Sequence, residues 1–324
     1  MDWSNASVLV TGGTGSFGKA FIRALLRDKG PRRVVVLSRD ELKQHEMRVA
    51  GFDDPRLRYF LGDVRDEARL RRAFHDIDVV VHAAALKQVP ACEYNPFEAI
   101  QTNILGARNI IEAAIDTNVR RVVALSTDKA VNPVNLYGAT KLCAEKLFSQ
   151  GNAYAGRAET RFANVRYGNV VGSRGSVIPL FRRQRETGTV TITDDRMTRF
   201  WLTLDQGVAF VLQAIEDMQG GETFVPRIPS MRITDLARAI APDAKQDVIG
   251  IRPGEKLHEV LLSEDEARNA RDDGDRYVIL PAKTTWQLDR WDDKPTLPDG
   301  FNYASDTNDQ WLSLDELRDM AAEG

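Results

Sequence analysis

From Ser7 to about Tyr167 the chain alternates between two hydrophobic rhythms. Short β-branched or aromatic runs such as SVLVT, RRVVVL, LRYFL, DVVVH and RRVVAL read as strands. Between them, apolar residues recur every three or four positions, as at Phe17, Ala20, Phe21, Ala24 and Leu25, which is the period of a helix packed on one face. That first helix is expected to stop at Gly30-Pro31. A longer one opens at Pro96 and carries Phe97, Ile100, Ile104, Ala107, Ile111 and Ala114 as a core stripe, with its outer face free to build an interface between copies. Strand–helix alternation of this kind predicts an α/β fold with a doubly wound parallel sheet. After RFANVRYGNV the strands shorten and Gly, Ser, Arg and Pro become frequent. The pattern predicts a dinucleotide-binding domain over 1–170, rejoined by 195–226 through a helix from Trp201 to Met218 and a last strand in GETFVP. A smaller, interleaved substrate-binding domain is expected over 171–194 and 227–324. The tail from Trp286, rich in Asp, Trp and Pro, receives no role from its chemistry.

The first strand runs into TGGTGSFG, with glycines at 12, 15 and 18. A strand, a glycine-rich turn and a helix in succession suit a pyrophosphate: the glycines allow a tight turn, close backbone approach and close helix–strand packing. Gly12, Thr14, Gly15, Ser16, Phe17 and Gly18 are therefore the expected cradle. The three-and-three glycine spacing departs from the two-and-three spacing of the common dinucleotide fingerprint. It resembles the turn of extended short-chain dehydrogenase/reductase proteins, which implies a Rossmann-like fold.

The second strand ends at Ser38-Arg39-Asp40, about 20 residues past the last glycine, where such folds read the ribose. Ser38 and Arg39, with Lys43 a turn later, predict a 2′-phosphate and hence NADP. In the competing assignment Arg39 is a solvated surface charge and Asp40 binds the ribose. Asp63 and Val64 follow the third strand in the adenine position. Ala83, Ala84 and Ala85 follow the fourth and let a cofactor lie against the backbone, and Lys87 beyond them can reach a phosphate of cofactor or substrate.

The strongest chemical signal lies in RRVVALSTDK and the LYGATK after it. Tyr137 and Lys141 are four apart and share a helical face, so the ammonium is expected to favour the ionised phenol, which ordinarily titrates near ~10. Thr127, Asp128 and Lys129 end a strand at the side of the sheet where ligands bind. For Asp128-Lys129 a plain strand-end ion pair or a turn is the structural alternative. In the second half, Asn169, Arg199 and Arg252 sit in loop-like segments, and together they suit a nucleotide diphosphate. Glu255 could accept from a ribose hydroxyl, or simply be a charge at a helix N-terminus.

A net charge of −3 argues against non-specific nucleic-acid binding. No apolar stretch reaches the ~20 residues of a membrane span, and Met1-Asp2-Trp3 begins no signal sequence, so a cytoplasmic protein is expected. The two cysteines, Cys92 and Cys143, read as packed thiols. Four scattered histidines suggest no metal site.

The stretches TGGTGSFGKAF, SRDELKQ, GDVRD, HAAALKQVPACEYNPFEAIQTNILGA, ALSTDKAVNPVNLYGATKLCAEKLF, VRYGNVVGSRGSVIPLF, MTRFW, FVPRIPSMRITDLA and GIRPGEKLHEVLL span roughly residues 10 to 262. They resemble the UDP-N-acetylglucosamine 4,6-dehydratases of the C5-inverting type found in pseudaminic acid synthesis. Other dehydratases of the superfamily carry Asp-Glu where this chain has Asp128-Lys129. The resemblance implies that Tyr137, helped by Lys141 and Thr127, takes the C4 hydroxyl proton. It further implies that Lys129, its pKa lowered by burial, abstracts the C5 proton, and that a protonated Asp128 donates to the departing C6 hydroxyl. On the substrate side it implies Lys87, Thr127, Asn169, Val177, Arg199, Arg252 and Glu255. It also implies NADP, UDP-N-acetylglucosamine as substrate, and a homo-oligomer, a hexamer being one arrangement. Flagellin glycosylation is the family's usual destination.

Overall fold

The computed structural model of the protein describes residues 1–156, 158–172, 177–282, 284 and 286–323. Strands β1 (Ser7–Thr11), β2 (Arg33–Ser38), β3 (Leu57–Leu61), β4 (Val79–His82), β5 (Arg121–Leu125) and β6 (Arg161–Val165) lie side by side in the order 3-2-1-4-5-6, all parallel. This is the doubly wound arrangement expected from the sequence. Side chains alternate across the strands, so one sheet feeds two cores. Val8, Val10, Val34, Val36, Val79 and Val81 join Phe21 and Ile22 on one face. Leu9, Val35, Leu37, Val80 and Val122 join Leu70, Phe74 and Ile110 on the other.

GETFVP does form a strand (Thr223–Pro226), parallel to β6, but the sheet does not end there. Arg276–Ile279 adds antiparallel to it, Ala270–Asp272 pairs antiparallel with Arg276–Ile279 in turn, and nine strands of the described residues make up the sheet. Residues 270–279, expected in the substrate-binding part, therefore belong to the large sheet. Their short strands sit among charged residues around the turn Asp273–Asp275, and so escape a search for hydrophobic runs.

The helix expected from Trp201 begins later. Thr198–Leu202 is a strand, flanked by Asn169–Val170 and Ser230–Arg232. Thr203 then caps the helix Leu204–Asp217, with its side chain accepting from the Gln206 N–H while Gln206 bonds back to the Thr203 N–H. A third core gathers Ile178, Phe181, Val190, Ile192, Trp201, Leu236 and Leu317. It lies among the helices Val177–Arg185, Ile233–Ile240 and Leu314–Glu323, beside the paired strands Thr189–Ile192 and Lys245–Val248. The GSRGS motif lies mostly outside the described residues, at 173–176.

The tail acquires a structural role. Trp286 donates from Nε1 to the Gly220 carbonyl at 2.7 Å, and Trp291 packs edge-on against Phe224. Tyr303–Ala304 pairs antiparallel with Val260–Leu262.

Candidate active site

A cleft of ≈ 830 Å³ opens at the carboxyl ends of the parallel strands, where ligands bind in open α/β sheets. Gly12 has φ 66°, and a Cβ there would come within 2.9 Å of the Ala84 nitrogen, so the loop after β1 must lie directly on the backbone after β4. A Cβ on Gly18 would meet Gly13 at 2.6 Å, and its absence lets helix α1 (Ser16–Ala24) pack onto its own entry loop. No side chain caps α1 and no acid stands in its first turn. Its first residues, Ser16, Phe17 and Gly18, line the cleft with Thr14, Gly15 and Ala83 to Ala85. An uncapped helix end beside a bare glycine loop fits a pyrophosphate.

At the far end, Asp40 caps helix α2 (Glu41–Val49) by accepting from the Lys43 N–H at 3.0 Å, and it pairs with the Lys43 ammonium at 2.8 Å. Arg39 is largely exposed, with Asp63 a loose partner at 3.7 Å. Ser38 is buried and accepts from Gln44 Nε2 at 3.2 Å. Val64 is buried beneath this end, and a Cβ on Gly106 would touch it.

The chemical groups collect at the end of β5. Lys129 Nζ stands 3.0 Å from Asp128 Oδ1, which also accepts from the Thr127 hydroxyl at 2.8 Å. Asp128 is 1% exposed, and its Oδ2 has no partner. Ser126 Oγ is likewise buried and unpartnered. Tyr137 lies in the first turn of the helix Leu136–Tyr154, which Asn135 caps by accepting from the Gly138 N–H at 2.8 Å. Lys87, Asn169 and Val177 also line the cleft, and Asn169 Oδ1 is buried without a partner.

Two electrostatic expectations change. Lys141 Nζ donates to the Leu125 carbonyl at 2.7 Å, and burial lowers its pKa to about 8, with Glu145 opposing. Burial pushes the Tyr137 phenol up to about 12, and the cation that lowers it is Lys129, with help from the Thr127 hydroxyl. The sharing of a helical face therefore does not make Lys141 the phenol's charge partner, because its ammonium is aimed one turn further in, at the end of β5. Lys129 was expected to have a lowered pKa. Burial does pull it down, but Asp128 and Glu259 outweigh burial and hold it above the usual lysine range. Glu259 Oε1 is 3.4 Å from Lys129 Nζ. Sequence reasoning missed this residue: it is 130 positions from Lys129 in a run, KLHE, with no spacing signal, and only the fold brings the two together.

The other substrate-side residues are differently placed. Arg199 donates to the carbonyls of Thr198, Leu257 and Lys256, at 2.6, 3.1 and 3.1 Å, so its fork organises the segment before Glu259. Arg252 is mostly exposed and meets Glu255 at 4.0 Å, and Glu255 also accepts from the Arg252 N–H. Neither is among the residues that line the cleft.

Fold and cleft together define a doubly wound α/β protein with a dinucleotide-type cleft. Residues 8–281 match the family described as "Polysaccharide biosynthesis protein". The UDP-N-acetylglucosamine 4,6-dehydratase (inverting) of Campylobacter jejuni is 50% identical, covering 98% of this chain and 98% of that protein. A UDP-glucose 4-epimerase of Rickettsia conorii is 45% identical over 84% of this chain and 82% of its own length. The X-ray structure of Pen from Bacillus thuringiensis superimposes with a TM-score of 0.90 at 40% identity, covering 100% of this chain and 99% of that one. The chain belongs to the polysaccharide biosynthesis protein family.

Proposed function

We propose that the protein dehydrates UDP-N-acetylglucosamine across C5 and C6 with inversion at C5, using NADP. The product would be UDP-2-acetamido-2,6-dideoxy-β-L-arabino-hex-4-ulose, a first intermediate of pseudaminic acid-type synthesis. The observation that carries this reading is the Asp128–Lys129 pair beside Tyr137, in the cleft that also holds the glycine loop. The substrate named for the Campylobacter relative supports it.

When bound, the nicotinamide would accept hydride from C4 and return it to C6. Tyr137 would take the C4 hydroxyl proton, with the Lys129 ammonium and the Thr127 hydroxyl offsetting part of the effect of burial on the phenol. With C4 at the ketone level, the C5 proton lies α to a carbonyl and becomes acidic. Lys129 would pass its Nζ proton to Asp128 Oδ1, 3.0 Å away. Closing water out of the cleft favours this exchange, since a dry site favours the neutral pair over the ionic one. The amine then takes the C5 proton, and the protonated Asp128 gives its proton to the departing C6 hydroxyl; after hydride return to C6, a proton delivered to C5 from the opposite face would complete the product and invert that centre. Lys87, Asn169 and Val177 are proposed to face the sugar nucleotide. Arg252 and Glu255 would reach it only by movement of their loop.

For the cofactor, NADP is favoured because Asp40 is committed to Lys43 and its helix cap, while Arg39 keeps only a loose partner. Release of NADP on denaturing the purified protein supports this, and release of NAD overturns it. A cytoplasmic homo-oligomer is part of the same proposal.

A C4 epimerase is the second reading, favoured by the name of the Rickettsia relative. Epimerisation at C4 needs Tyr137 but has no use for an acid–base pair at 128 and 129. Lys129→Ala separates the two. The variant is expected to retain cofactor and lose water elimination by at least about a hundredfold, the range of a general acid–base contribution. Normal product formation by it would refute the assignment.

A further inference from the structure

We propose that Glu259 is a positioning residue for the elimination step: its carboxylate holds Lys129 in the cleft and stabilises the positive charge that Lys129 acquires when it takes the C5 proton. This deepens the proposed function and rests on Lys129 acting as the base.

The geometry is that of a built site. Glu259 is 2% exposed, with Oε1 3.4 Å from Lys129 Nζ and 3.7 Å from Arg199 Nε. Its Oε2 is buried and has no partner, an uncommon condition for a carboxylate oxygen. Its backbone is fixed from both sides by Ser305. The Glu259 N–H donates to Ser305 Oγ at 2.9 Å, and the Ser305 N–H donates to the Glu259 carbonyl at 2.8 Å. Ser305 Oγ is in turn 2.7 Å from Thr198 Oγ1, which lies 2.8 Å from His258 Nδ1. The pairing of Val260–Leu262 with Tyr303–Ala304 continues the same clamp. A chain that needed only an ion pair for stability would have no reason to hold a carboxylate in a dry wall with one oxygen idle.

The chemistry follows from what happens to Asp128. Once Asp128 carries the proton destined for the C6 hydroxyl, it no longer balances an ammonium at Lys129. Glu259 remains as the anion that does. It therefore makes the neutral Lys129 amine a stronger base at the moment C5 is deprotonated: the attraction is lost once the Nζ proton has passed to Asp128 and grows again as the C5 proton arrives. Among the described residues, the other charged or titratable groups facing this pair include Asp128, Tyr137, Lys87, Lys256 and Arg199. Of these, Lys87, Lys256 and Arg199 are cations that disfavour a further positive charge, so Glu259 opposes them. The raised titration of Lys129 is in keeping with this balance.

The test compares native protein with Glu259→Gln and Glu259→Asp. Lysines are dimethylated with 13C-formaldehyde, and the Lys129 signal is assigned by its absence in Lys129→Arg and followed through a pH titration. In Glu259→Gln the Lys129 midpoint is expected to fall by about 1 pH unit or more, the effect of removing an opposite charge at close range. Exchange of the C5 proton with solvent is expected to slow at least about tenfold, while KM for the sugar nucleotide changes by less than about threefold, as for an interaction realised in the transition state. Glu259→Asp, which keeps the charge but draws it back, is expected to fall between the two on both measures. An unchanged Lys129 midpoint, or an unchanged exchange rate with the midpoint lowered, overturns the inference. Should Glu259→Gln fail to fold, a native midpoint in Glu259→Asp overturns it equally. The titration reads the Glu259–Lys129 coupling without turnover, so failure of the dehydratase reading, seen as no C5 exchange in the native protein, is a separate result.

Discussion

His82, at the end of β4, is 2% exposed, with Nδ1 2.8 Å from Thr11 Oγ1 and its ring tilted against Phe148. Burial, with Lys141 nearby, lowers its pKa from 6.5 to about 3. Between those values the unfolded chain binds a proton that the native state excludes, so stability falls as pH drops from 6.5 towards 3. The buried imidazole makes this a loss of a few kcal/mol, on the order of the shift. Melting curves between about pH 4 and 6.5 should therefore rise less steeply with pH for His82→Gln than for the native protein. Equal slopes would contradict the account. The same distinction marks what was readable in the sequence at this scale. The residue types at 127–129, 137 and 141 and their place at a strand end were legible, because strand, turn and helix punctuation is local. Their charge states were not, because those depend on Glu259, distant in sequence, and on the depth to which Lys141 is buried.

At the scale of elements, the helix Leu136–Tyr154 presents Tyr137 in its first turn, so the cap at Asn135 holds the side chain proposed as the C4 base as well as a helix end. Asn135 Nδ2 also donates to the Gly254 carbonyl at 2.8 Å, tying the loop before Glu259 to the same point. Asn135→Ala is expected to cost about 1 kcal/mol, the usual worth of an N-cap, measured by urea denaturation. Its kcat should fall more than its KM rises, since the frayed turn carries Tyr137; an unaltered kcat would separate the cap from the site. Strands β1, β2, β4 and β5 were legible because they are largely buried and β-branched, and β3 because of its aromatic, apolar run. Trp201 was misplaced into a helix, although Thr203 and Gln206 stand at capping-box spacing and mark the boundary. The antiparallel strands at 270–279 gave too little apolar length to be seen.

Across the whole molecule, a buried cation links what the sequence division kept apart. Arg166, 1% exposed, follows β6 and binds Glu145 of the Tyr137 helix at 2.6 Å and Glu266 at 2.8 Å, and it donates to the Leu261 carbonyl at 2.9 Å. The segment 261–266, whose strand also pairs with the tail, is thereby fastened beneath the cleft and sets where Glu259 stands. The tail was unreadable from chemistry because its function is to pair and pack against residues far away in sequence. The central proposal is that arrangement at this scale makes the cleft a single acid–base device. The most direct measurement is proton NMR of UDP-N-acetylglucosamine incubated in deuterated water with the purified protein and no added cofactor. The account predicts a C6 methyl group, deuterium at C5 and coupling constants of the inverted sugar. A product that keeps its C6 hydroxyl and its C5 proton would contradict it.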